Sequence, residues 1–233
     1  FSCAGAMLGH IQQGHAVLVL NIFSNYGSEL QSRAPDARRC AEEERAARLI
    51  GYTSRNLGEP DAFQAPRRRS MADVFRPPLA LDRYYFPGLR SRVLRALDEV
   101  TFDHLYVPLA IGWHVDHILT YWVAASSPYR RKIVYFEDAP YCQIDGAMQA
   151  RWLQLGQALA GQPRSAGALW LRLVRSYWHS GMMRSFGPLW LRCAAYPFVC
   201  LYFWRLLRRQ LRDNTSPQAP ALRPDTRDVT AVV

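Results

Sequence analysis

Apolar and polar positions change period several times along this chain, and each change predicts an element. From Ser2 to Gln13, Ala6, Met7, Leu8 and Ile11 recur at helical spacing, and Gly14 stands where the helix would stop. Ala16 to Phe23 is almost continuously apolar and rich in Val, Leu and Ile, which predicts a strand buried on both faces. Asp36 is a candidate cap for a helix over Arg38 to Ile50, with Gly51 just past its end. Residues 52–88 carry many Pro, Arg and Gly and predict a long surface excursion. Helical spacing resumes from Leu89 to Val100. A strand over 104–110, a helix over 115–126, a strand over 132–136 and a helix from Asp145 to Leu159 complete the pattern.

Helices alternating with short apolar strands predict an α/β fold: a Rossmann-like, mostly parallel sheet with helices on both faces. Such folds usually open on a strand, whereas this chain opens on a helix, so the first strand is expected to be missing. The predicted organisation is an α/β domain over 1–150, a helical appendage over 151–212 and a disordered tail over 213–233.

Charge divides the chain at the same place. The formal net charge is +10, and residues 151–212 hold ten arginines and no Asp or Glu, so they account for all of it. From 169 to 212, Trp and Tyr alternate with Arg, and Leu189 to Trp204 carries a single charge, Arg192, with Pro197 inside it. That stretch falls short of the roughly twenty apolar residues of a membrane span. Three readings stay open: contact with a membrane surface through 169–212, a helical pair packed on the core with Arg stems covering apolar area, and, least favoured, a true span. No nucleic-acid-binding motif accompanies the basic segment, and no nucleic-acid partner is expected. Five scattered cysteines form no framework and no signal peptide is visible, which favours a reducing, cytoplasmic setting, peripheral to the inner face of the membrane if the basic segment docks there.

Chemistry concentrates in Gly112-Trp113-His114-Val115-Asp116-His117, at a predicted strand-to-helix junction. His114 and His117 lie three residues apart and can share one helix face, while Asp116 could orient an imidazole from the turn before it. Glu137-Asp138 follows the next predicted strand, and in a parallel sheet both segments emerge at the same ligand-binding edge.

Together with Tyr106-Val107-Pro108 and Tyr135-Phe136-Glu137-Asp138-Ala139-Pro140-Tyr141, this pattern resembles the PIG-L/LmbE family of zinc-dependent N-acetylglucosaminyl deacetylases. Arg39 and Glu42 ahead of Leu49-Ile50-Gly51, Leu57-Gly58-Glu59-Pro60-Asp61-Ala62, and Ser2-Cys3-Ala4-Gly5 before Gly14-His15 extend the resemblance over about residues 1–145. It implies a Zn²⁺ enzyme that removes an acetyl group from an N-acetylated amino sugar on a lipid or other glycoconjugate. His117 would be a metal ligand. His114 would stabilise the oxyanion or protonate the leaving amine, with Asp116 orienting it. Arg39, Asp61 and Arg67 become candidates for holding substrate, whereas His10, His15, His104 and His179 match nothing and are expected to be structural. The family's His-x-Asp-Asp motif, source of its other two zinc ligands and its general base, occurs nowhere here. The chain opens where that motif would just have ended, so truncation is expected, and this stretch alone is expected to hold no zinc tightly and to be inactive. The alternative is a catalytically inactive glycan- or membrane-binding protein that kept the fold. No Gly-x-Gly-x-x-Gly supports a nucleotide-binding reading.

Overall fold

A computed structural model describes residues 3–25, 37–62, 74, 80–156, 165–179 and 187–212. The described chain is mixed α/β, with two small parallel sheets. In order it forms α1 (Ala4–Gln12), β1 (Leu18–Asn21), α2 (Ala37–Ile50), β2 (Thr53–Asn56), α3 (Ala80–Asp98) and β3 (Leu105–Pro108). Then follow α4 (Val115–Ala125), β4 (Ile133–Phe136), α5 (Ala147–Gln154), α6 (Ala166–His179) and α7 (Leu189–Arg212). Single 3₁₀ turns at Ile111–Trp113, Arg130–Lys132 and Tyr141–Gln143 join the elements around β4. The predicted tail over 213–233 lies outside the described residues.

Each sheet is one parallel pair with a helix between its strands, as parallel pairing requires. Leu18 to Asn21 pair with Thr53 to Asn56, and Leu105 to Pro108 pair with Ile133 to Phe136. Two expectations need correction here. β1 is not buried on both faces: its first residue, Leu18, is exposed and the others are only half-buried. A strand in a two-stranded sheet keeps one unpaired edge, and its flanking helices cover its faces only in part. The excursion expected over 52–88 is also interrupted twice. Thr53-Ser54-Arg55-Asn56 is polar yet forms β2, because a parallel ladder is built from backbone groups and needs no apolar side chain. Helix α3 begins at Ala80, nine residues earlier than Leu89, and runs through Pro87.

The core gathers on the β3–β4 side. Val107, Leu109 and Ile111 follow one another from β3 into the loop beyond it, and α4 is buried almost all round, with Val115, Ile118, Leu119, Tyr121, Trp122 and Val123 enclosed. Leu89, Val93 and Leu97 bring one face of α3 into the same cluster. So do Leu169 and Leu173 of α6 and Leu206 and Leu207 of α7, so the basic C-terminal helices share this core through one face. All five cysteines are free thiols.

Candidate functional site

Beyond β3 the pairing continues for one more bond, Leu109 N–H to Phe136 C=O at 2.9 Å, and then the chain turns sharply. Ala110 (φ 62°), Gly112 (φ 74°) and Trp113 (φ 61°) all take left-handed backbone. For Ala110 and Trp113 that conformation costs on the order of 1–3 kcal/mol each, a strain that typically persists where function fixes the loop. Gly112 has a second constraint: a Cβ there would lie 2.5 Å from Cβ of Tyr141. Only glycine fits both the turn and this close approach.

Two buried charged side chains clamp the turn from beneath. Asp138, fully enclosed after β4, accepts the Ile111 N–H at 2.5 Å through Oδ2. Arg151 of α5 donates from Nε to the Leu109 carbonyl at 2.7 Å and from Nη1 to Gln154 Oε1 at 2.6 Å. Its guanidinium also lies over the Tyr121 ring, 4.6 Å from the centroid. Burial pushes the Arg151 pKa down, and the neighbouring Asp138 charge opposes that shift. Asp138 and Arg151 thus hold residues 109 and 111, and the loop between them leads directly into the histidine motif.

His114 is the N-cap of α4, with extended backbone (φ −61°, ψ 125°), and its carbonyl accepts the Ile118 N–H at 3.0 Å. Its ring faces that of His117, centroids 5.1 Å apart, and stacks on Tyr141 at 6.2 Å. The expected pairing of Asp116 with His114 is loose: Asp116 Oδ2 lies 4.0 Å from His114 Nδ1, longer than a hydrogen bond. That oxygen instead accepts the buried Ala62 N–H at 2.8 Å and so anchors the loop after β2 to the start of α4. A carboxylate in the first turn of a helix is also favoured by the helix dipole.

His117 sits differently. Nδ1 is buried and faces Asp138 Oδ1 at 3.6 Å, and neither atom has a hydrogen-bond partner among the described residues. The side chain as a whole is still 32% exposed, so part of it beyond Nδ1 reaches solvent. A buried carboxylate behind one ring nitrogen of a partly exposed imidazole is the setting in which metal-binding histidines are found. Tyr141 closes the side of the site toward Gly112. Burial first, and then the charges of Asp138 and Asp116, push its phenol up to about 12, so it stays protonated at neutral pH and can donate a hydrogen bond.

The structure therefore brings together His114, Asp116 and His117 at one sheet edge. Asp61 is half-buried and directly precedes Ala62, whose amide Asp116 holds, so its backbone runs beside the site. Arg39 lies in α2, but its side chain is outside the described residues, as is all of Arg67. In the sequence Asp138 stands out only as part of an acidic pair, and nothing local marks Arg151 as part of the site. The signal for Arg151 was a lone charge in Ala147-Met148-Gln149-Ala150-Arg151-Trp152-Leu153-Gln154, which reads equally well as a surface position. Glu59 was quoted only as part of a motif; it is buried, paired with Arg92 and accepting the Tyr85 hydroxyl, and so ties the end of β2 to α3.

Comparison with known proteins adds no relative. No family model matches the chain, and no curated protein or solved structure is similar to it. The chemistry must be judged on the residues alone. For a zinc ion the donor set fits in one respect, His117 with Asp138 behind it. Among the described residues, no group of three or more His, Cys, Asp and Glu side chains is arranged to hold a metal.

Proposed function

We propose that this chain is the α/β part of a zinc-dependent amide hydrolase of the PIG-L/LmbE type, acting on an N-acetylated amino sugar. On this reading the two parallel pairs belong to one Rossmann-like arrangement, with the histidine motif at the C-terminal edge of β3. The observation that carries the reading is the His117–Asp138 relation, a half-exposed imidazole whose buried nitrogen faces a wholly buried carboxylate at 3.6 Å. On this reading His117 is one of the usual three protein ligands of a catalytic zinc.

Zinc, when bound, makes a water nucleophilic at neutral pH and polarises the acyl carbonyl. The chain's own residues do the rest. The Asp138 carboxylate, 3.6 Å behind Nδ1, favours the tautomer of His117 with its proton on Nδ1, which leaves Nε2 as the donor atom. His114, facing the same space 5.1 Å from His117, donates to the oxygen that gains charge and then carries a proton to the leaving amine. Tyr141, held protonated, adds a neutral donor at the same edge, beside a His114 that acts in its imidazolium form. Asp116 keeps α4 and the loop after β2 in register, so the Asp61 segment borders the substrate space.

The test is deacetylation of an N-acetylglucosaminyl glycoside by the protein expressed from its complete reading frame, with and without added Zn²⁺. The expected outcome is zinc-dependent release of acetate, lost in His117→Ala and lowered about 10–100-fold in Asp138→Asn through weaker metal binding. Glycan binding without turnover in the zinc-loaded protein would overturn the enzymatic reading in favour of a binding protein.

A further inference from the structure

The second inference concerns the C-terminal helices and stands apart from the site. α6 and α7 pack against each other through an inward zipper of aromatic side chains. Trp178 meets Tyr196 at 4.7 Å, Tyr177 meets Phe203 at 5.0 Å, and Trp170 meets Trp204 at 5.8 Å between ring centroids. Trp170 Nε1 donates to the Cys200 carbonyl and Tyr196 Oη to the Val174 carbonyl, at 2.8 and 2.9 Å. The buried Leu169, Leu173, Leu206 and Leu207 then seat the pair on the common core.

That arrangement leaves the opposite face of α7 uncovered. Its first turn is exposed broadly, at Leu189, Trp190, Leu191 and Cys193, and from there Ala194, Pro197, Phe198, Leu201, Arg205 and Arg208 continue from Trp190 as a helical stripe by their spacing. Trp190 and Phe198 are 70% and 75% exposed and stand on one stripe with Leu201, the contiguous kind of apolar patch that marks an interaction surface. The stripe is apolar as far as Leu201 and cationic beyond it. Arg192, the single charge within the apolar half, is turned aside, its Nε donating to the Gly187 carbonyl at 2.6 Å. Arg175, Trp178, His179 and Tyr196 line an open hollow of about 220 Å³ between the two helices.

We infer that this hairpin docks on an anionic phospholipid surface, with the α7 stripe set into the headgroup and upper acyl layer. The hollow receives a lipid phosphate between Arg175 and the aromatic rings. Charge complementarity selects this occupant. The exposed Arg205 and Arg208 at the end of the stripe, with no acidic residue between 151 and 212 to offset them, would repel the same face of a second copy but match a negatively charged bilayer. An apolar face bordered by Arg, Trp and Tyr is the composition of helices that lie in the membrane interface. Among the described residues no helix is long and apolar enough to cross a membrane, so the contact is with one surface. From Trp190 to Leu201 the stripe is about 17 Å long at 1.5 Å per residue, enough to lie flat on a bilayer but not to traverse its hydrocarbon core of about 30 Å.

The experiment is flotation of the whole chain with vesicles of phosphatidylcholine alone or with 30% phosphatidylglycerol. Circular dichroism checks the fold of each variant. The protein should float with the anionic vesicles, not with the neutral ones, and should be released by high salt. Trp190→Glu/Phe198→Glu should lower the bound fraction at least tenfold, and Arg175→Glu severalfold. Brominated acyl chains should quench tryptophan emission in the wild type and distinctly less in Trp190→Phe. Equal flotation with both vesicle types, or binding unaffected by the double variant, overturns the proposal. So does a soluble dimer that Phe198→Glu dissociates, because a second copy would then be the occupant of the face.

Discussion

Two histidine clusters lie at opposite ends of β3, and the difference between them shows what turns imidazoles into a site. Before the strand, His10 and His15 approach through their Nδ1 atoms at 3.1 Å, His10 Nε2 is 2.7 Å from Tyr106 Oη, and the His104 ring is 6.1 Å from that of His10. These imidazoles bond to each other and to a phenol near solvent, and no carboxylate is paired with them in the described contacts. Beyond the strand, His114 and His117 sit among the buried carboxylates of Asp116 and Asp138 on a loop with three left-handed residues. By count of histidines the first cluster is the richer. By burial, charge and strain the second is the stronger candidate for chemistry.

If that contrast is right, disturbing the scaffold beneath the second cluster should cost far more than disturbing the first. The largest effect is expected from Arg151→Leu. It strips the Leu109 carbonyl and Gln154 of their buried donor and removes a positive charge that interacts with buried Asp138, a loss of about 3 kcal/mol in unfolding free energy by urea titration. Gly112→Ala should follow, at about 2 kcal/mol by the same measurement, because the new methyl meets Tyr141 while the backbone stays left-handed. A loss under about 0.5 kcal/mol in either variant would mean that the loop is not clamped as described.

A smaller effect sharpens the comparison at high pH. The Tyr141 phenol ionises at about 12 in the folded chain, against 10.0 when free. Below pH 10 it is neutral in both states, and its contribution to stability is complete. Between pH 10 and 12 the unfolded chain loses this proton first, so stability falls as pH rises, and nothing of the contribution remains above 12. Tyr85 and Tyr135 are shifted upward too and share the alkaline loss, so Tyr141→Phe should flatten only part of the decline between pH 10 and 12. An unchanged alkaline limb would place Tyr141 in water. The smallest effect belongs to the other cluster: His15→Ala should change stability by no more than about 0.5 kcal/mol, the usual figure for an exposed position.

The same contrast explains what could be read in the sequence. β3, α4 and β4 were legible because apolar, β-branched runs announce buried strands and Gly112 to His117 stands at their junction. β2 was not, since Thr53 to Asn56 pair through backbone groups while their side chains give no apolar signal. The motif histidines were legible by spacing, but the groups that control them were not. Asp138 reaches Ile111 across 27 positions and Arg151 reaches Leu109 across 42, and no local pattern records such pairings. Asp116 shows the limit most clearly. Adjacency suggested that it orients His114, whereas its oxygen holds Ala62, a residue 54 positions away. In the C-terminal segment the sequence left membrane contact and core packing open as alternatives, and the helices pack on the core with one face while leaving the other exposed.

The central claim is that His117, backed by Asp138, is the metal-binding histidine and that the more numerous histidines at the far end of β3 are not. The direct measurement is zinc content per chain after dialysis, for the protein from its complete reading frame and for His117→Ala and His15→Ala. The account predicts one tightly held zinc in the parent and in His15→Ala, and none in His117→Ala. Zinc retained in His117→Ala, or lost in His15→Ala, would contradict it.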